Sequence, residues 1–134
     1  MGPIQKRLLG TWRSDKKRTL ATWRAFADFS PPKKRKVGAL FGKVELRYTA
    51  KFCFVTLNGE TTRNRYDLVA EDTDSVVIRM HNDGYLRSMD PVMREEMEPF
   101  MQSSLWHLHV ECIRGQQFYW IGLRVMCEWF RKTS

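Results

Sequence analysis

Only three cysteines occur in the 134 residues: Cys53, Cys112 and Cys127. An odd number argues against a disulfide framework, and without a CxxC pair there is no structural zinc knuckle. The reading is three reduced thiols packed as small apolar groups. Long hydrophobic runs are missing too, since nothing approaches the roughly 20 apolar residues of a membrane helix. A Gly-rich phosphate loop, a nucleophile elbow and the kinase motif set are absent, so the common nucleotide-dependent and acyl-transfer enzymes lack their parts. No charged start leads into an apolar stretch and a small-residue cleavage site. Met1-Gly2-Pro3-Ile4-Gln5-Lys6 lacks the Ser/Thr of a myristoylation signal. The expectation is a soluble cytoplasmic protein that does not engage a membrane. Glu95, Glu96 and Glu98 crowd one short segment where neighbours point apart, so paired-carboxylate hydrolysis is not indicated.

The composition present is globular, with 43% hydrophobic and 28% charged residues, and the length suits one domain over 1–134 that holds a core without staples. Acidic residues are scarce where basic ones concentrate. Residues 1–50 carry 13 Lys/Arg against 3 Asp/Glu, whereas residues 51–100 carry 6 against 10. The net charge of +8 is therefore local to the first third. Such an excess attracts anionic partners through long-range potential, or simply solvates a face.

Leu8 to Arg13 reads as a first strand. A helix over about 15–29 follows, capped by Ser14 or Asp15, with Leu20, Trp23, Phe26 and Ala27 on one stripe. Ser30-Pro31-Pro32 ends it and opens a basic loop at 30–38. Alternation then marks strands at 42–49, 52–57, 62–69 and 75–81, with Asn58-Gly59 as a turn that tolerates positive φ. Residues 105–113 and 117–121 form a hairpin around Arg114-Gly115, and a last strand runs over 125–131. Residues 82–104 break the rhythm and read as a long loop or lid, with Met89, Met93, Met97 and Met101 as a soft apolar stripe. About eight sequential strands with one early helix predict an all-β fold, a closed antiparallel barrel, because closure removes exposed edges. Eight strands leave an interior wide enough for packed side chains or one small ligand.

Gly10-Thr11-Trp12 on the first strand resembles the G-x-W that opens lipocalins and other calycin barrels. Gly10 to Thr22 together with Phe41-Gly42-Lys43 is similar to small bacterial proteins of lipocalin-like type. The resemblance implies barrel closure by Gly10 and Trp12, with Arg131 from the last strand across the indole. It also implies a cavity, although a fold does not decide what enters it.

Three constellations carry candidate chemistry. The first is a cavity lining for a small hydrophobic or amphipathic molecule. In it Tyr48 and Tyr66 supply hydroxyls, Arg79 and His109 hold an anionic head group, and Phe52, Phe54, Trp106 and Trp120 receive the apolar part. The second is His107-x-His109-x-Glu111, which a strand projects on one face opposite Trp106, Leu108 and Val110. Two imidazoles and a carboxylate suit zinc or iron, so a metal- or haem-dependent enzyme or sensor is the alternative, with His81 joining if its strand pairs alongside. Otherwise that face is the solvated side of a sheet. The third is Lys33, Lys34, Arg35 and Lys36, which resemble a monopartite nuclear import signal and could bind anions or nucleic acid. That run lacks the interleaved aromatics of single-strand binders. No motif identifies a cofactor, and the oligomeric state is open.

Overall fold

The computed structural model describes residues 3–81, 91–92, 95, 105–123 and 126–134, with side chains from residue 6 onward. The expected lid over 82–104, its methionine stripe and the start of the last expected strand fall largely outside the described residues.

A short helix, α1 (Pro3–Leu8), precedes strand β1 (Gly10–Ser14). Helix α2 (Lys16–Thr22) follows, then a 3-10 turn (Arg24–Asp28) and helix α3 (Pro31–Gly38). Seven further strands complete the described chain: β2 (Glu45–Tyr48), β3 (Phe52–Leu57), β4 (Glu60–Glu71), β5 (Ser75–Met80), β6 (Leu105–Ile113), β7 (Gln116–Gly122) and β8 (Cys127–Lys132). Each strand pairs antiparallel with its neighbour, and β1 closes on β8, so the sheet is a closed eight-stranded barrel in sequence order. The β3–β4 and β6–β7 connections turn on Asn58-Gly59 and Arg114-Gly115, all four at positive φ. Two consecutive positive φ angles give the turn whose twist matches the flanking strands.

Alternation decides what fills the barrel. Leu46 and Tyr48, Cys53, Val55 and Leu57, Asn64 and Tyr66, then Val76, Ile78 and Met80 are buried on successive strands. Leu108 and Val110, Tyr119, Phe130 and Trp12 complete the ring. Cys53 lies among them, but Cys112 is exposed and Cys127 half-buried, which corrects the expectation of three buried thiols.

The early helical region differs from the sequence reading. Asp15 caps α2 by accepting from the Arg18 N–H, but that helix ends at Thr22. Ser30 starts a helix rather than ending one, since its Oγ accepts from the Lys33 N–H and Pro31 occupies the first turn, where a missing donor costs nothing. The expected basic loop is therefore helical. Trp23, Phe41 and Met126 form a second apolar cluster with Leu20, Phe26, Phe29 and Val37 beside the end of β7 and the start of β8. Leu40 touches both this cluster and the barrel core.

Candidate functional site

The two barrel ends are built differently. At the end where β1 begins, α1 reaches across to β5 and β6 and acts as a plug. Leu8 is fully buried, and its carbonyl accepts from the Trp12 Nε1–H at 2.8 Å. Gly10 is required there, because it sits at φ +125° and an added Cβ would lie 2.4 Å from the Ser134 carbonyl oxygen. The cation over Trp12 is Lys132, with Nζ 5.5 Å from the ring centroid and bonded to the Arg7 carbonyl. This corrects Arg131. Trp12 pairs in register with Lys132, so one residue along the strand faces the opposite side, and Arg131 is exposed on the exterior opposite Arg13 and Phe118.

Above the plug the interior is filled by aromatic rings. Tyr119 packs edge-on to Trp12 with centroids 4.8 Å apart and stacks on Phe130 at 4.8 Å. The Tyr48 and Tyr119 hydroxyls meet at 3.2 Å, and Tyr66 donates to the Thr49 carbonyl. Burial holds the Tyr48 phenol well above its usual range and pushes the Cys53 thiol up to about 12, so both stay neutral. The Asn64 side-chain N–H group donates to the Cys53 carbonyl at 3.4 Å and to Thr62 Oγ1 at 3.2 Å, and Asn64 Oδ1 is buried without a hydrogen-bond partner among the described residues. Tyr48 and Tyr66 are thus interior residues, as the cavity reading placed them, but Trp12, Tyr48 and Tyr119 are each no more than 2% exposed and pack as core.

The opposite end is looser and carries a charge-capable group. There β1, β5 and β7 finish and β2, β6 and β8 begin, so their inward residues converge. Ser14, Val44, Trp106, Ile121 and Glu128 lie on this inner rim with Leu40 from beyond α3. Trp106, Ile121 and Leu40 stay partly exposed while packing on the core. Glu128 is 8% exposed. Its Oε2 accepts from Ser14 Oγ at 2.8 Å, and Ser14 in turn accepts from the Gly42 N–H. Burial lifts the Glu128 pKa to about 7, only partly opposed by the Ser14 bond. A carboxyl poised near neutrality on an apolar rim can donate or accept a proton or hold a cation. Sequence reasoning passed over Glu128. The signal was available: an acid on the inward parity of β8, between Cys127 and Trp129.

The other expected lining residues are on the outside. Phe52 and Phe54 lie on the exposed side of β3, opposite in parity to Cys53, Val55 and Leu57. Arg79 lies outside on β5, and His109 and Trp120 lie outside on β6 and β7, where they stack with centroids 3.8 Å apart and planes 8° apart. Of the eight residues read as ligand-lining, Tyr48, Tyr66 and Trp106 face inward. The aromatics on β3 and β7 misled because strands covered by cation–π partners or neighbouring rings accept large side chains on both faces. Arg79 and His109 cannot share a head group either. His109 registers with Ser75, four residues from Arg79, or about 13 Å of strand.

The metal set separates as well. The His107 and His109 rings lie with centroids 4.0 Å apart and planes tilted by 35°. Ser75 Oγ donates to Asp72, so His107 Nε2 is the donor in its 2.9 Å bond to that same oxygen and is unavailable to a metal. Desolvation and the neighbouring His107 hold His109 below its usual pKa. β5 and β6 do pair, but His81 is at their far end, bound to Asp67 at 2.9 Å. Among the described residues no three His, Cys, Asp or Glu side chains converge as a metal site, Glu111 included.

In α3, Lys33 and Lys34 lie over Phe29 and Phe26, at 4.1 and 5.8 Å. A helix does not present lysines in the extended form an import receptor reads. No helix of the described chain is long and apolar enough to cross a membrane. Comparison with family models, with curated proteins and with solved structures finds no match.

Proposed function

We propose that the protein binds a small amphipathic molecule at the looser rim of the barrel, with Glu128 as the polar anchor and Trp106, Ile121 and Leu40 as the apolar seat. The plugged end and the G-x-W strand support the likeness to calycin barrels. The packed aromatics beneath move the seat from mid-bore to the rim. The observation that carries the reading is a buried carboxyl that, among the described residues, holds a single side-chain hydrogen bond, from Ser14, beside three half-exposed apolar side chains. An isolated ionised carboxylate is costly in such a setting, and a partner that shares its proton or brings a positive charge relieves that cost. The preferred ligand is therefore an apolar molecule with a basic or hydrogen-donating head, not the anionic head group that Arg79 and His109 were read to hold.

The test is titration with dodecylamine and with dodecanoate below their micellar concentrations, followed by tryptophan fluorescence. Saturable quenching by the amine, weaker quenching by the acid, and loss of that preference in Glu128→Gln are expected. Equal response to both probes in wild type, or none to either, overturns it.

A further inference from the structure

The outer face of β2, β3 and β4 carries a pattern that the barrel core does not require. Phe52 and Phe54 project outward from β3 two positions apart, half-buried, with ring centroids 6.4 Å from each other. Register places Arg47 of β2 and Arg63 of β4 on either side of Phe54, and Arg65 beside Phe52. The Arg47 guanidinium lies 4.1 Å above the Phe54 ring, and that of Arg63 lies 4.8 Å above Phe52. All three arginines are exposed. None is within ion-pairing distance of a carboxylate among the described residues. Lys51 extends the positive edge at the β2–β3 turn. Of the acids nearby, Glu45 faces Arg13 at 3.8 Å, and Asp67, two positions along β4 from Arg65 and within reach of its charge, is bonded to His81.

We propose that this face binds single-stranded nucleic acid. A guanidinium held over a phenyl ring is a planar cationic group at the surface, and unpaired bases stack on both aromatic rings and arginine planes. Two such ring–guanidinium layers side by side accept two neighbouring bases. Arg65 and Lys51 stand where the backbone phosphates would pass, since exposed unpaired cations supply the sequence-independent part of such binding. Among the described residues no helix packs extensively on β2, β3 or β4, so a chain can run across this part of the sheet. Duplex nucleic acid hides its base faces and would gain only the charge term. The surface differs from the Lys33–Lys36 run, whose aromatics sit beneath it in the α2–α3 cluster.

The test is fluorescence anisotropy of the whole protein with a labelled single strand of about twelve nucleotides, as DNA and as RNA, a length within the range of one barrel-sized binding site. Binding at roughly 50 mM salt, weakening with a log–log slope of about −1.4 for the two phosphate contacts of Arg65 and Lys51, is expected. Phe52→Leu and Phe54→Leu keep apolar bulk on an outward face and should fold normally. Each should weaken binding by about 5- to 150-fold, the loss of one stacked base. Arg65→Gln should flatten the salt slope by about 0.7. The proposal is overturned by any of four results: no anisotropy change at low salt; phenylalanine variants that bind like wild type; a duplex that binds as tightly as the single strand; or phosphatidylserine vesicles or a glutamate-rich peptide that bind equally well with the same phenylalanine dependence. Loss of binding only when Lys33, Lys34, Arg35 and Lys36 are changed to glutamine assigns the activity to α3 and also overturns it.

Discussion

Replacing Glu128 by glutamine should stabilise the protein at alkaline pH and leave it unchanged in acid. The side chain is 8% exposed, and its folded pKa of about 7 stands above the ordinary 4.5 because burial disfavours the ionised form. A raised folded pKa means that the native state holds the proton more tightly than the unfolded chain. The contribution is therefore fully present below pH 4.5, is lost as pH rises towards 7, and is gone above about pH 8. At about 1.4 kcal/mol per pH unit of separation, the full swing is about 3 kcal/mol. Glutamine never ionises, is nearly isosteric, and still offers an oxygen to the Ser14 hydroxyl. Urea denaturation of both proteins from pH 4.5 to 8.5 measures the difference, in which every other titrating group cancels. The gap should open between pH 4.5 and 7 and level off in favour of the variant at about 2 to 3 kcal/mol, or some 6 to 12 °C in Tm. A gap that stays constant across this range would refute the assignment of a buried, proton-holding Glu128.

The remaining predictions test the plug and the parity of the strands. Lys132→Ala should cost about 1 kcal/mol through loss of its contact with Trp12 and its bond to the Arg7 carbonyl, whereas Arg131→Ala should stay within about 0.5 kcal/mol, both by chemical denaturation. Equal costs would mean the register at the barrel seam is misplaced. Gly10→Ala should destabilise by at least about 2 kcal/mol, because φ +125° and the Ser134 carbonyl both exclude a methyl group; a neutral result in thermal melts would contradict that close approach. Under native conditions at pH 7.5 a maleimide should label Cys112 rapidly and leave Cys53 untouched until global unfolding, since Cys53 is buried with its thiol pushed up to about 12. Mass spectrometry showing Cys53 modified at the rate of Cys112 would argue against that interior position.

Much of the architecture follows from local chemistry, and was legible for that reason. Strand alternation at 52–57 and 105–113, and turn signals at Asn58-Gly59 and Arg114-Gly115, depend on residues close in sequence, so the number of strands and their sequential pairing could be read directly. The plug residue Trp12 and the need for Gly10 were read from their motif. What could not be read was which face of a strand points inward when both faces carry large side chains. In β3 the sequence offers phenylalanines on one face and Cys53, Val55 and Leu57 on the other, and the aromatic face is the outer one.

Seam register is set by closure across 120 residues, and it decides that Lys132 rather than Arg131 meets Trp12. The same long-range closure places Glu128 on the rim beside Ser14, while the β5–β6 register separates His81 from His107 and His109. Ser30-Pro31 shows the local counterpart: one dipeptide serves equally to end a helix or to begin one, and packing of Val37 and Leu40 on the Trp23–Phe41 cluster settles it as a start. The chain's own pattern thus determined that it forms a tube and where that tube turns. Only closure of the tube decided how β1 meets β8 and which of the two bulky faces of β3 turns inward, because a one-residue shift exchanges the two faces of a strand and the seam joins residues far apart in sequence.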